Sequence, residues 1–371
     1  MAKKIYRNKN VLESAIERYE YIFDNFENII VSISGGKDST VLAHMALMEA
    51  KKRNRKIGIF FLDEEVVYKN TVEQVEYVMS MYPEVTNRFW LQIPFNLTNS
   101  TSYKDSQLKC WEQKHKKKWM RKRDSKNVLH KTWSHETKIA DRKKGFGFYD
   151  VFKNFEMSFD NTAFLVGLRS DESLNRYRTV IKYPGYKDIL WSTKRGQNNH
   201  SFYPLYDWSF SDIWKYIGEN KLKYHKYYDF CFMKGKFLNQ MRVSSLTHEK
   251  AFQSIQELPE FEFDTYQKLL NRIEGISFAQ ETAKDSKMFQ VKKLPKAYDS
   301  WMKYRDFLLE TFPVPEKKYI FIKRFKNNFN NNYVARLQCK QLVLNDYENN
   351  FPIKNIEDPV QEKVKYWSKI L

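Results

Sequence analysis

Six consecutive residues, Ser34-Gly35-Gly36-Lys37-Asp38-Ser39, concentrate more chemical capability than any other stretch of this 371-residue sequence. Adjacent glycines let the backbone take φ > 0 and bring its N–H groups close to a bound group. Lys37 adds a full positive charge, and Ser34 and Ser39 add hydroxyl donors. Such donors suit an anion. They suit phosphate best if a helix opens near Ser39, because a helix N-terminus attracts negative charge by about 0.3–2 kcal/mol. Two familiar phosphate loops are excluded by spacing. GxxxxGK[ST] places a hydroxyl directly after the lysine, whereas Asp38 follows Lys37 here, and GxGxxG does not occur. A plain helix cap by Asp38 and Ser39 is the competing reading.

The surrounding elements favour the anion site. Residues 10–28 carry Val11, Leu12, Ala15, Ile16, Tyr19, Ile22 and Phe23 at three- and four-residue spacing, which predicts an amphipathic helix. The run Ile29–Ile33 reads as a buried strand ending at the glycines, and from Ser39 the pattern turns helical as far as the basic cluster at 51–56. Ile57–Leu62 reads as a second strand, Thr71–Met81 as a helix, Phe89–Ile93 as a third strand and Ala163–Gly167 as a fourth. Strand and helix alternate over short links, as parallel βαβ units require. Ser211–Asn220 and Trp301–Phe312 read as helices, the latter stopped by Pro313 and Pro315, and the Asn-rich stretch 327–332 as an exposed loop. Patterns beyond about residue 245 are mainly helical, so two domains are expected: 1–244, carrying the glycine loop, and 245–371.

Composition narrows the partners. The chain holds 64 Lys and Arg against 45 Asp and Glu, a formal charge of +19, and such an excess favours polyanions. Residues 102–147 alone hold 15 Lys and Arg against five acids, with Trp111, Trp119 and Trp133 interspersed. This basic insert suits nucleic acid, with phosphates neutralised and bases stacked, or equally a solvated lid. Its Cys110, His115, His130 and His135 have zinc-type letters in a C-x4-H-x14-H-x4-H spacing, but scattered ligand types arise easily by chance in so Lys-rich a stretch, and zinc is not expected. Three separated cysteines, Cys110, Cys231 and Cys339, supply neither a disulfide framework nor a four-cysteine iron–sulfur site. With no signal-peptide h-region and no run of roughly 18 apolar residues, a cytoplasmic protein off the membrane is expected.

SGGKDS after a buried strand resembles the PP-loop of the ATP-pyrophosphatase superfamily. Val166-Gly167-Leu168-Arg169-Ser170-Asp171-Glu172-Ser173, followed by Arg176 and Arg178, is similar to the arginine segment of its branch of phosphoadenosine-phosphosulfate (PAPS) reductase and sulfotransferase-like proteins. Tyr203-Pro204-Leu205-Tyr206-Asp207-Trp208, Asp212-Ile213-Trp214 and Tyr227-Tyr228-Asp229 are similar to that branch's PLxxW…DVW…YD block. The tail, including Met241–Ser244 and Leu344–Tyr347, resembles the helical extension of immunoglobulin-binding regulator A (IbrA-type) proteins.

The resemblance implies a Rossmann-like α/β fold, adenine nucleotide alpha hydrolase-like, with a parallel sheet flanked by helices and a helical C-terminal extension. ATP or PAPS would lie across the strand ends with Mg2+. The implied nucleotide contacts are Ser32, Ser34, Gly35, Gly36, Lys37, Asp38, Ser39, Asp63, Gly167, Arg169 and Arg176. Lys37, Asp38 and Arg169 would act in catalysis, with Asp38 a magnesium ligand. Asp63 would meet ribose, adenine or a metal-bound water, and Arg169 would clamp phosphate or sulfate.

The sequence also departs from the branch. PAPS reductases use a cysteine in a C-terminal Glu-Cys-Gly segment, whereas Cys339 sits in Leu-Gln-Cys-Lys-Gln. Reductase chemistry is therefore not expected. Cleavage at the α-phosphate or sulfo-group transfer is. The competing expectation is a nucleotide-dependent regulatory coactivator acting with DNA or a ParB-like partner, the partner being implied only by the resemblance.

Overall fold

The computed structural model describes residues 8–102, 107–123, 146–182, 185–196, 198–243, 245–248, 251–276, 293–347, 349 and 351–359. It divides into two compact units. The first comprises residues up to Phe95, Cys110–Lys114 and Arg121–Val243. The second comprises Asn96–Lys109, His115–Met120 and the chain from Ser244.

The first unit is built on a six-stranded sheet. In chain order its strands are β1 (Asn28–Ser32), β2 (Ile57–Leu62), β3 (Thr86–Leu91), β6 (Thr162–Val166), β7 (Ser192–Lys194) and β8 (His200–Phe202), arranged β3-β2-β1-β6-β8-β7. Every neighbouring pair is parallel except β7 with β8. Strands covered on both faces read as unbroken apolar runs, and β2 is buried at all six positions. Around the sheet lie α1 (Val11–Asn25), α2 (Lys37–Lys52), α3 (Lys69–Ser80), α4 (Phe148–Glu156), α5 (Leu174–Lys182), α6 (Phe210–Glu219) and α7 (Tyr227–Met233). This is the expected Rossmann-like arrangement.

Local chemistry sets the helix ends. Asn10 caps α1 in a capping box with Glu13, and Ser209 caps α6 in one with Asp212. The apolar stripe of α1 (Ala15, Tyr19, Ile22 and Phe23) joins Val31, Leu42, Ile59 and Leu165 in one core. Each fully buried side chain of this size contributes about 1.5–3 kcal/mol relative to exposure.

Among the described residues the second unit holds a two-stranded ribbon, β4 (Phe95–Thr98) with β5 (Gln107–Cys110), apart from the ribbon's outermost residues, and the helices α8 (Phe252–Phe261), α9 (Phe263–Arg272), α10 (Trp301–Glu310), α11 (Pro315–Phe325) and α12 (Asn332–Val343). Phe312, Phe321, Phe325 and Leu342 form a core there. Two sequence expectations are refined. Pro315 does not merely follow a helix; it opens α11 at N1, where its missing N–H leaves no bond unmade. Within the Asn-rich stretch, Asn331 caps α12 by accepting from the Val334 amide, so the loop ends in a helix start. Among the described residues no helix is long and apolar enough to cross a membrane.

Candidate functional site

The strand order reverses between β1 and β6, so the loops leaving these two adjacent strands diverge to opposite sides. Parallel sheets offer ligands a crevice at such a switch point, outside the strand C-termini. The loop after β1 is the glycine loop. Gly35 takes φ +77°, and a Cβ there would stand 2.9 Å from Thr71 Cγ2 and 3.3 Å from Thr71 O, so only glycine fits. Gly36 is the N-cap of α2 and has no side-chain cap. The loop after β6 begins with Gly167, whose notional Cβ would lie 3.2 Å from the Ser39 amide nitrogen and 3.3 Å from the Asp38 carbonyl carbon.

Hydrogen bonding in the turn is uneven. The Ser34 amide donates to Ser39 Oγ at 3.2 Å, and Ser39 Oγ donates to Gly36 O at 2.9 Å, which fixes the turn internally. The Lys37 amide donates to the Tyr228 hydroxyl at 3.2 Å. The amides of Gly35, Gly36, Asp38 and Ser39 donate to no acceptor among the described residues. Four main-chain donors at the head of a 16-residue helix therefore stand uncommitted. The donor set fits a phosphate group. Ser32 ends β1, half-buried just before the turn.

Beside the turn lies a buried ionic cluster. Lys37 is 4% and Arg169 3% exposed. Asp38 bridges them: Oδ2 accepts from Lys37 Nζ at 2.8 Å and Oδ1 from Arg169 Nε at 2.6 Å. Arg169 also reaches Asp171 at 2.7 Å and the Trp208 carbonyl at 3.3 Å, with Glu172 at 3.8 Å. Arg176 pairs with Glu172, and Arg242 donates to the Glu172 carbonyl at 3.1 Å. Burial alone would raise the Asp38 pKa, but Lys37 and Arg169 together outweigh it and hold the carboxyl below its ordinary value. Burial lowers the Lys37 pKa against the opposing pull of Asp38. Desolvation also lowers the Arg176 pKa.

Lys37, Asp38, Arg169, Arg176, Gly167 and the turn are thus brought together. Asp63 stands apart. It is fully buried, and Oδ2 accepts from Trp90 Nε1 at 2.8 Å and Gln92 Nε2 at 3.0 Å, while Oδ1 accepts from the Glu65 amide at 3.0 Å and pairs with Arg121. With both oxygens so engaged, Asp63 anchors Trp111 and Arg121 of the basic insert instead of facing a ligand. Trp111 Nε1 donates to the Asp63 carbonyl at 2.7 Å, and Arg121 and Arg123 lie 5.2 and 5.6 Å from the Trp111 ring. His130 and His135 fall outside the described residues.

Among the described residues no three of His, Cys, Asp or Glu are grouped to hold a metal. Asp38 is the carboxylate expected to hold magnesium, but its two oxygens are committed to Lys37 and Arg169, so among the described residues it offers no free oxygen to a metal ion. The three cysteines are buried, and burial pushes the Cys339 thiol up to about 12. The fold adds residues that motif reading did not assign. Gln74 and Thr71 back the turn, Thr71 Oγ1 lying 3.0 Å from His225 Nε2 and Gln74 Nε2 donating to Thr40 Oγ1 at 3.1 Å. His225 Nδ1 accepts from the Tyr227 amide, which leaves the proton on Nε2 to face Thr71, and burial lowers its pKa to about 3.

A family model described as the phosphoadenosine phosphosulfate reductase domain matches residues 28–234, and one described as a domain of unknown function, DUF3440, matches residues 235–359. YbdN, an uncharacterized protein of Escherichia coli K12, is 25% identical over 314 residues, covering 82% of this chain and 76% of its own. Similar solved structures include the PAPS reductase of Candida auris in a phosphate complex, at 14% identity and a TM-score of 0.34, covering 62% of this chain and 94% of that one. Another is the FMN adenylyltransferase of Candida glabrata with FMN and an ATP analogue, at 13% identity and a TM-score of 0.34, covering 61% and 64%.

Proposed function

Because this chain belongs to the phosphoadenosine phosphosulfate reductase domain family, we propose that it binds an adenine nucleotide, ATP or PAPS, with the phosphates on the turn of residues 34–39. The observation that supports this most is the set of four uncommitted amides, at Gly35, Gly36, Asp38 and Ser39, beside the buried Lys37 ammonium. Ser34 and Ser39 stiffen the turn, Gly167 keeps the space before its amides open, and Arg176 stands half-exposed at the rim. Asp38 and Arg169 hold Lys37 in place. Magnesium would arrive bound to the phosphates and neutralise charge on the leaving group, and Asp38 would join it only by giving up an ion pair with Lys37 or Arg169.

The chemistry that suits these residues is group transfer from the nucleotide. With ATP, an acceptor oxygen attacks the α-phosphorus and pyrophosphate leaves with the bonding pair; with PAPS, an acceptor oxygen attacks the sulfur and adenosine 3′,5′-bisphosphate leaves with the bonding pair. In both cases preorganised amides and Lys37 stabilise charge that grows on the departing group. Reductase chemistry is not proposed: it requires a nucleophilic thiolate, and Cys339 is a buried thiol in α12.

The test is to incubate the protein and Mg2+ with ATP or PAPS separately and resolve the products by chromatography. A nucleotide product that disappears in Lys37→Ala supports the proposal. Wild-type protein that binds neither nucleotide in calorimetry refutes it, and binding without any product favours the regulatory role over the enzyme.

A further inference from the structure

The head of α2 also holds a phenol that none of the roles above uses. Tyr228 in α7 is 4% exposed. Its oxygen lies 3.2 Å from the Lys37 nitrogen, whose N–H it accepts, and 3.5 Å from the place a Cβ on Gly36 would take. A phenol that accepts one hydrogen bond still has its own hydrogen to donate. Nothing among the described residues receives that hydrogen.

The ring has little freedom to turn the hydroxyl elsewhere. Trp214 packs against it edge-on at 5.4 Å, and Lys37 Nζ sits 5.4 Å from its centroid. Burial, reinforced by the Asp38 carboxylate, raises the Tyr228 pKa, so the hydroxyl keeps its proton at any physiological pH. A buried donor without an acceptor burdens the fold, and an anion on the neighbouring amides would remove that burden.

We propose that Tyr228 is a direct phosphate ligand, donating its hydroxyl to an oxygen of the group seated on the turn of residues 34–39. Accepting from Lys37 and donating to the anion, it joins α7 to the glycine loop and supplies a neutral side-chain donor from about 190 residues downstream of that loop. The proposal rests on the reading that the turn binds phosphate. The simpler role would be to cap the Lys37 amide and nothing more.

Calorimetry on the full chain separates these roles, using inorganic pyrophosphate and adenosine as probes of wild type and Tyr228→Phe, with thermal unfolding measured in parallel. A direct ligand predicts pyrophosphate binding weakened about tenfold or more in the variant, the scale of a lost hydrogen bond to a charged group, with adenosine binding unchanged. Wild-type protein labelled at the tyrosine ring carbon bearing oxygen gives a reading that needs no variant. Pyrophosphate should shift the resonance of one buried tyrosine, and adenosine should not. Equal pyrophosphate affinities overturn the proposal, as does an equal weakening of both probes or a labelled protein whose buried tyrosines ignore pyrophosphate. Wild-type protein that binds neither pyrophosphate nor ATP overturns it together with the proposed function, whereas binding indifferent to Tyr228 leaves that function standing.

Discussion

Replacing Gly167 by alanine tests the geometry of the site with a single methyl group. Gly167 does not lie in the left-handed region, so alanine meets no backbone strain there. The methyl would stand 3.2 Å from the Ser39 nitrogen and 3.3–3.4 Å from the Asp38 carbonyl atoms, all main chain and slow to yield. Overpacking of this kind costs about 1–3 kcal/mol of stability. The same methyl crowds the approach to the Ser39 amide, one of the four uncommitted donors. Losing one hydrogen bond to a charged group removes about 1.5–3 kcal/mol, or about 10- to 150-fold in Kd. Gly58→Ala is the control: in β2 its Cβ would come within 2.7 Å of Phe89 Cε2 and 3.1 Å of Ile30 Cγ1, in the sheet rather than at the turn. Calorimetry with Mg-ATP, alongside thermal unfolding, should find both variants less stable but only Gly167→Ala weakened in binding. Wild-type affinity in Gly167→Ala, or an equal loss in Gly58→Ala, would refute the reasoning.

Asp63→Asn should cost about 3–5 kcal/mol in denaturant unfolding, because the buried Arg121 pair is broken and an amide must face donors already aimed at a carboxylate. ATP binding lost at unchanged stability would restore Asp63 as a ligand. The ammonium of Lys37 titrates below the ordinary lysine value of 10.5, with burial the leading cause. Nucleotide affinity should therefore fall with rising pH before 10.5 is reached, and Lys37→Ala should lack that limb. Over the same window the unfolded lysine still holds its proton, so this group's contribution to stability rises with pH; the depressed Asp38 contributes stability above 3.8 that is lost as pH falls through its folded pKa. ATP binding should weaken only gently with added salt, since the free donors are neutral amides, whereas any nucleic acid held by the basic insert should dissociate steeply.

Sequence and structure agree best where one cause dominates. Ile29–Ile33 and Ile57–Leu62 were readable because central parallel strands are apolar on both faces, and the turn because two glycines and a lysine joined a strand to a helix. β7 and β8, three residues each and containing Lys194 and His200, are too short to show any period, and their pairing is decided by the sheet edge. The partners of the ionic cluster were also hidden. Asp171 and Glu172 lie beside Arg169 in sequence, but the Trp208 carbonyl, Arg242 and Tyr228 reach the site only through tertiary packing. Asp63 shows the same limit from the other side. An acid at a strand end can face a crevice or the interior, and its direction here is set by Trp90 and Gln92 on or just beyond β3 and by Trp111 from a stretch without periodicity.

The charges at this site favour a particular division of labour. Four cations, Lys37, Arg169, Arg176 and Arg242, lie among three carboxylates, Asp38, Asp171 and Glu172, so most of the positive charge is already compensated. Both oxygens of Asp38 are in ion pairs, one with Lys37 and one with Arg169. A buried ion pair adds little net stability over an apolar pair, because desolvation offsets most of the attraction, but it fixes where each group sits. The cluster therefore holds its cations in position without leaving a bare charge, and the donors still open are the amides of the turn. On the proposed reading, an incoming phosphate would meet those dipoles first, already aligned by Gly35, Gly36 and the head of α2. That order of contact would place recognition in the backbone conformation, which is why a methyl on Gly167 should disturb binding without removing a single charge.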